Sequence, residues 1–184
     1  MEPDNELYRR FLQGDEAGLV QIIDTYKDGL IFYLNGIVSD LAAAEDLAED
    51  TFLKLVLKKP RFSARSSFKT WLYAVGRNLA LDHLRRRKNA PISDDSLSSL
   101  RAPEADLELR CIRQEKLHSV HAAMKKLKPE YRQVLWLIYF EDFSCAQAGK
   151  ILKKSTHNTQ MLVSRARRAL KNQLIKEGFD YEDI

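Results

Sequence analysis

The sequence predicts an all-α protein made of two small helical domains joined by a flexible linker, the second of them a helix-turn-helix. Apolar residues recur at helical spacing through most of the chain. Seven glycines, five prolines and few alternating β-branched runs also favour helix over sheet. A segment rich in Pro, Ser and Asp, residues 89–110, separates the helical stretches. We therefore expect domains at 1–88 and 111–184, each large enough to bury a core.

Charge is distributed unevenly along the 184 residues, although the net charge is only +4. Residues 1–60 hold twelve acidic and six basic side chains, whereas 61–93 hold one acidic and eight basic, and 124–184 hold seven and twelve. Two basic zones predict two nucleic-acid contacts, with acidic surface left for a protein partner. Two cysteines are too few for a disulfide framework, and no export signal or membrane-spanning run is present, so a cytoplasmic protein is expected.

The first sixty residues are predicted to form a scaffold of helices. Residues 5–38 carry turn signals at Gly14-Asp15 and near Asp28-Gly29. Residues 40–59 form a strong helix candidate with Asp40 as a possible cap, and its early turns carry an acidic patch. The alternative is a solvated helix face. With no His nearby and no phosphate-binding Gly loop, we expect no catalytic group, metal or cofactor site here.

Residues 67–88 combine an apolar stripe with a nucleic-acid-binding composition. Phe68, Leu72, Val75 and Leu79 share one helix face, which is expected to pack inward. Trp71, Tyr73 and Asn78 are expected to be exposed on other faces, and the helix ends in four cations, 85–88. Cations can bind the phosphate backbone while aromatic rings stack on bases. The preceding loop, 60–66, carries two cations and an aromatic residue and can bind an unstacked base. The alternative is an amphipathic helix with a solvated basic end.

The C-terminal third predicts a helix-turn-helix. Residues 131–140 are apolar nearly all round and should form a buried helix. Ser144 and Gln147 match a capping box that starts a short helix, and a second helix follows Lys153-Lys154. Side chains near its start are expected to face bases and to favour adenine, and later cations are expected to bind phosphates. The candidates are His157, Asn158, Gln160 and Ser164 for bases, and Arg165, Arg168 and Lys171 for phosphates. A helical hairpin with a solvated basic face is the alternative.

Four stretches together resemble the extracytoplasmic-function group of bacterial RNA polymerase sigma factors over nearly the whole chain. They are AEDLAEDTFLKL at 44–55, SSFKTWLYAVGRNLALDHLRRR at 66–87, LKPEYRQVLWLIYFEDFSCAQAGKILKKS at 127–155 and SRARRAL at 164–170. The resemblance implies a dissociable subunit that gives core RNA polymerase its promoter choice. It also implies that the first domain binds and melts the −10 element, that the second reads the −35 element, and that an anti-sigma protein regulates the chain.

The resemblance also implies roles for individual residues. The residues expected to contact core polymerase are Glu45, Asp46, Glu49, Asp50 and Leu53. The residues expected to contact −10 DNA are Arg61, Phe62, Ser63, Arg65, Trp71, Tyr73, Arg77, Asn78, Arg85 and Arg86. The −35 contacts would be the seven candidates of the helix-turn-helix.

Two other functions remain open at the level of sequence. A free-standing helix-turn-helix regulator would bind duplex DNA without polymerase, but such a protein needs neither the acidic helix nor the aromatic-rich one. A sigma-like decoy would bind polymerase or a regulator without starting transcription. Its support is the sequence of 158–162, NTQML, which departs from the usual recognition helix. No nucleophile–base pair, metal cluster or phosphate loop points to an enzyme.

Overall fold

The computed structural model describes residues 3–62, 67–89 and 115–178. These residues form helices and connecting turns without any strand, which confirms the all-α fold class. The helices are α1 (Pro3–Leu12), α2 (Glu16–Val38), α3 (Leu41–Lys58), α4 (Phe68–Asn89), α5 (Glu115–Lys125), α6 (Pro129–Tyr139), α7 (Cys145–Leu152) and α8 (Thr156–Lys176). None of them is long and apolar enough to cross a membrane. The predicted linker lies outside the described residues, except for Asn89 at its start.

Helix α2 forms the centre of the N-terminal half, residues 3–89. Helices α1, α3 and α4 all pack on it, and its Ile22, Leu30 and Leu34 are fully buried. The turn expected at Gly14-Asp15 is confirmed, since Gly14 has φ +94° and Asp15 caps α2. The turn expected near Gly29 is wrong because α2 continues through it. A glycine costs about 1 kcal/mol in a helix interior, but packing against three neighbouring helices maintains α2 here.

Helices α3 and α4 complete this half. The predicted cap of α3 is confirmed, because the Asp40 Oδ1 atom accepts a hydrogen bond of 3.1 Å from the Ala43 amide. The predicted inward stripe of α4 is only partly right: Phe68 and Leu72 are buried, whereas Val75 and Leu79 are half-buried. Tyr73, Gly76 and Ala80 are buried in their place. The reason is that α4 packs between α2 and α3 on one side and α7 on another, so it buries more than one face.

The C-terminal half, residues 115–178, contains the predicted helix-turn-helix. The capping box of α7 is confirmed by both of its hydrogen bonds, between the Ser144 side chain and the Gln147 amide and between the Gln147 side chain and the Ser144 amide. Lys153 ends α7 in the left-handed conformation with φ +57°, and α8 begins three residues later. The two helices cross at Gly149, where an added Cβ would lie 2.8 Å from the Lys154 carbonyl oxygen. Their close approach therefore depends on glycine.

The two halves pack directly against each other. Helix α6 packs on α2, and α7 packs on α4. The rings of Phe32 and Trp136 lie 5.7 Å apart across this contact, and those of Tyr73 and Phe143 lie 5.2 Å apart. One set of buried apolar side chains runs through both halves. The chain is therefore closed, with its two predicted DNA-binding regions joined through a shared core.

Candidate nucleic-acid and polymerase interfaces

The predicted −35 contacts all lie on the solvent-facing side of α8. Its buried side is formed by Thr159, Leu162, Ala166 and Leu174, which pack on α5, α6 and α7. Ser155 caps the helix by accepting from the Asn158 amide, which fixes the first turn. The seven candidates are exposed: His157, Asn158, Gln160, Ser164, Arg165, Arg168 and Lys171. The structure brings them together on one accessible surface, in agreement with the spacing of the sequence.

Two residues outside the seven candidates also lie on this surface. Met161 is 44% exposed and lies among the predicted base contacts. Arg167 is exposed and lines a shallow groove between the start of α7 and α8, together with Gln160, Ser164 and Cys145. The signal for Arg167 was present, since positions 160, 164 and 167 follow helical spacing. The exposed apolar side chain of Met161 can contact a thymine methyl group.

An aromatic cluster stands at the start of α4. The Phe62 ring packs edge-on against Tyr8 at 5.0 Å and against Trp71 at 5.9 Å. The Tyr8 hydroxyl donates a hydrogen bond of 2.7 Å to the Pro60 carbonyl, which fixes the preceding segment. Phe62 and Trp71 are half-buried and Arg61 is exposed, whereas Ser63 and Arg65 lie outside the described residues. The cluster places two half-buried aromatic rings next to an exposed cation, the residue types on which unpaired bases stack and to which their phosphates bind.

The basic end of α4 is exposed, but its middle is covered. Arg85 and Arg86 face solvent, and Arg85 pairs with Asp82 at 3.2 Å. Asn78 is half-buried. Arg77 donates from Nε to the Gln133 side-chain oxygen of α6 at 3.0 Å, so this predicted DNA contact already has a partner in the other half.

The expectation that Tyr73 is exposed is wrong, because its side chain is completely buried. It lies between the two halves, against Tyr33 and Phe143. The pKa of its phenol is raised well above 10, first because burial disfavours the phenolate and then because the Glu141 carboxylate lies beside it. Sequence periodicity within α4 gives no sign of this, since the cover comes from a segment about seventy residues away.

A further exposed surface lies on α3, which packs on α2 and α4. Asp46, Asp50, Leu53 and Leu57 follow one another at helical spacing, with Glu49 beside them. Leu53 is 53% exposed and Leu57 is 73% exposed. Glu45 is half-buried at the edge of this surface. We call these five residues, Asp46, Glu49, Asp50, Leu53 and Leu57, the acidic–apolar strip. Leu57 was missed from sequence, although it stands one helical turn after Leu53.

Within the described residues no group of three or more His, Cys, Asp or Glu side chains is arranged to bind a metal ion. His121 packs edge-on against the rings of Trp136 and Phe140.

Comparison with family models matches two segments of the chain. Residues 22–90 match the model of Sigma-70 region 2, and residues 117–170 match that of Sigma-70 region 4. The ECF RNA polymerase sigma factor SigC of Mycobacterium tuberculosis is 32% identical over 72% of this chain and 71% of its own length. The ECF RNA polymerase sigma factor SigW of Bacillus subtilis is 26% identical over 88% of this chain and 91% of its own length.

Two solved structures share the fold. CnrH, solved in complex with the cytosolic domain of CnrY, superimposes with a TM-score of 0.67 at 20% identity, covering 94% of this chain and 97% of CnrH. The sigma factor RpoE of Bartonella quintana, solved with the anti-sigma factor NepR, gives a TM-score of 0.61 at 25% identity, covering 84% of this chain and 94% of RpoE.

Proposed function

This chain belongs to the extracytoplasmic-function group of RNA polymerase sigma factors, and on that premise we propose how its surfaces divide the work of starting transcription. Members of the family direct promoter recognition by core polymerase. The acidic–apolar strip docks on core polymerase, the aromatic cluster and α4 capture and melt the −10 element, and α8 reads the −35 element. The observation that carries this division is that the three surfaces lie on three different helices with three different chemistries.

Each surface has the chemistry that its role requires. The acidic–apolar strip has exposed carboxylates and leucines, which suit a protein partner and would repel DNA phosphates. The aromatic cluster suits base capture: unstacking a base costs a few kcal/mol, and stacking on an aromatic side chain returns about 1–3 kcal/mol per base. The exposed face of α8 offers amide side chains for base edges and cations for phosphates. Covalent chemistry would then belong to the core enzyme, and the chain would act in the cytoplasm.

An anti-sigma protein is the second proposed partner. RpoE of Bartonella quintana, which this chain resembles over most of its length, forms a complex with the anti-sigma factor NepR. By analogy, this chain is inactive until its own anti-sigma protein is released.

Run-off transcription with purified core polymerase and fragmented genomic DNA of the source bacterium tests the proposal. Discrete new transcripts that share −10 and −35 sequences are expected only when the chain is added. Binding to core polymerase without transcripts would favour the decoy. Binding to duplex DNA without binding to polymerase would favour the free-standing regulator.

Variants separate the proposed surfaces. Asp46→Arg should weaken binding to core polymerase, whereas Asp24→Arg, a matched charge reversal at an exposed position of α2, should not.

Arg61→Ala and Asn78→Ala should impair open-complex formation more than polymerase binding. Equal loss of both steps in the Arg61 and Asn78 variants would contradict the −10 roles.

A further inference from the structure

The turn between α6 and α7 inserts one carboxylate into the N-terminal half. Glu141, on this turn, has a side chain only 10% exposed. The Lys69 ammonium of α4 donates 2.7 Å to the Glu141 backbone carbonyl and lies 3.3 Å from its carboxylate. The Trp136 indole N–H donates to the same carboxylate at 3.2 Å. The Glu141 carboxylate thus interacts with one cation of the N-terminal half, Lys69, and with one hydrogen-bond donor of the C-terminal half, Trp136.

The N-terminal half is shaped to receive this carboxylate. Gly29 of α2 lies directly beneath it, and a Cβ at that position would overlap the Glu141 carboxylate and lie 2.9 Å from the Tyr73 hydroxyl. The Lys69 ammonium also lies over the rings of Tyr26 and Phe143, at 5.8 and 5.0 Å from their centroids. The glycine in the middle of α2, which sequence suggested as a turn, is explained by the need for space here.

The remaining contacts cover the middle of α4. Phe143 packs on the Tyr73 ring, and Gln133 accepts from Arg77. Both covered residues belong to the predicted −10 surface. The acidic–apolar strip, in contrast, stays exposed in the closed chain. Closure therefore removes part of one functional surface and leaves another available.

We infer that the turn carrying Glu141 is an internal competitor for the −10 surface, and that Glu141 is the latch that keeps the chain closed. An anion bound to Lys69 occupies the basic helix as a DNA phosphate would. Polymerase docks on the acidic–apolar strip of the closed chain, and the halves separate before α4 contacts DNA. The DNA step rests on the proposed function, whereas the latch itself concerns the free chain alone.

Removing the latch should open the chain, because loss of the Glu141 carboxylate takes the ion-pair partner from a cation whose side chain is only 22% exposed. Dyes are placed at Ala42 and Asn172, exposed positions in the two halves, in a Cys111→Ser, Cys145→Ser background. Energy transfer then reports the distance between the halves in the full chain. Glu141→Ala and Gly29→Ala should each raise the open-to-closed ratio at least about tenfold, and Glu141→Gln should raise it less.

Gly36→Ala is the matched control for Gly29→Ala. It lies on the same helix and the same interface, but its added Cβ would meet Arg132 only at an ordinary 3.8 Å. Both substitutions replace glycine by alanine within α2 and so raise helix propensity equally, but only Gly29→Ala makes a steric overlap with Glu141. Unchanged energy transfer in both Glu141→Ala and Gly29→Ala would overturn the latch. Circular dichroism checks folding, and if Gly29→Ala fails to fold, Glu141→Ala decides alone.

A second measurement relates the separation of the two halves to the affinity of the chain for DNA. Anisotropy of a labelled forked DNA carrying the promoter −10 sequence, without polymerase, should show affinity rising in parallel with the open fraction across the variants. If the latch variants open but none binds the forked DNA, the competition with DNA is wrong while the latch stands. If core polymerase also fails to bind, the proposed function itself is wrong.

Discussion

The two predicted DNA-reading surfaces differ in how much of each the folded chain leaves accessible. All seven predicted contacts of α8 are exposed, and the buried face of this helix is satisfied within its own half. On α4, Arg85 and Arg86 are exposed near the end of the helix, whereas Tyr73 and Arg77 in its middle contact the C-terminal half. The predicted −35 surface on α8, the second reader, is therefore accessible as folded. On our proposal, the predicted −10 surface on α4, the first reader, becomes fully accessible only when the halves separate.

The largest effect is expected from the glycine at the crossing of α7 and α8. A Cβ at Gly149 would lie 2.8 Å from a backbone carbonyl, which cannot yield without moving the turn. Gly149→Ala should therefore lower the free energy of unfolding by about 2 kcal/mol. Urea unfolding followed by circular dichroism measures this loss, and binding to −35 duplex DNA should weaken with it.

Gly76→Ala in α4 is the matched comparison. Its Cβ would meet only side chains, at 3.1 Å from Leu30 and 3.3 Å from Leu34 and Thr51. These groups can shift, and alanine gains about 1 kcal/mol of helix propensity over glycine. We expect a net change within about 1 kcal/mol. If both variants lost the same free energy of unfolding, the close helix crossing at Gly149 would be no less tolerant of a Cβ than the packing around Gly76.

The next effect distinguishes Arg168, which is exposed on α8, from Arg77, which already has a hydrogen-bond partner within the protein. Arg168→Ala should weaken binding to −35 duplex DNA roughly tenfold through loss of one charge-assisted hydrogen bond. It should also reduce the slope of log affinity against log salt by about 0.9. Arg77→Ala should leave this duplex binding unchanged, because Arg77 belongs to the predicted −10 surface and its Nε already donates to Gln133. A salt titration of both variants measures the difference, and equal slopes would contradict it.

Local sequence signals were sufficient for most of the second reader and for part of the first. The Ser144–Gln147 capping box and the spacing of exposed polar residues in α8 are local patterns, and the structure confirms the cap and the exposure. The burial of Tyr73 and the role of Gly29 were missed because both depend on the turn that carries Glu141 and Phe143, which is distant in sequence. Helical periodicity describes one helix and its own core, and it carries no information about a surface covered by another half.

A smaller effect tests whether water reaches the buried site where Tyr33 of α2 packs against Tyr73 of α4. The Tyr33 hydroxyl is fully buried and has no hydrogen-bond partner among the described residues. Tyr33→Phe should therefore raise the free energy of unfolding by about 1 kcal/mol, since an unsatisfied buried hydroxyl is removed. Tyr8→Phe is the matched control of opposite sign, because the Tyr8 hydroxyl donates to Pro60. Water reaching Tyr33 in an open chain would make its substitution neutral.

The smallest effect concerns the turn of the second reader. Lys153 is held at φ +57°, a conformation that costs an L-residue about 1–2 kcal/mol, while glycine adopts it freely. Part of this gain is lost because glycine also has more freedom in the unfolded chain. Lys153→Gly should therefore raise the free energy of unfolding by about 0.5 kcal/mol. Ser39→Gly, at φ +56° after α2, is the equivalent change in the N-terminal half and should give a similar gain. A gain at Ser39 but a loss at Lys153 would show that the lysine side chain itself stabilises the turn, and urea unfolding of both variants distinguishes these results.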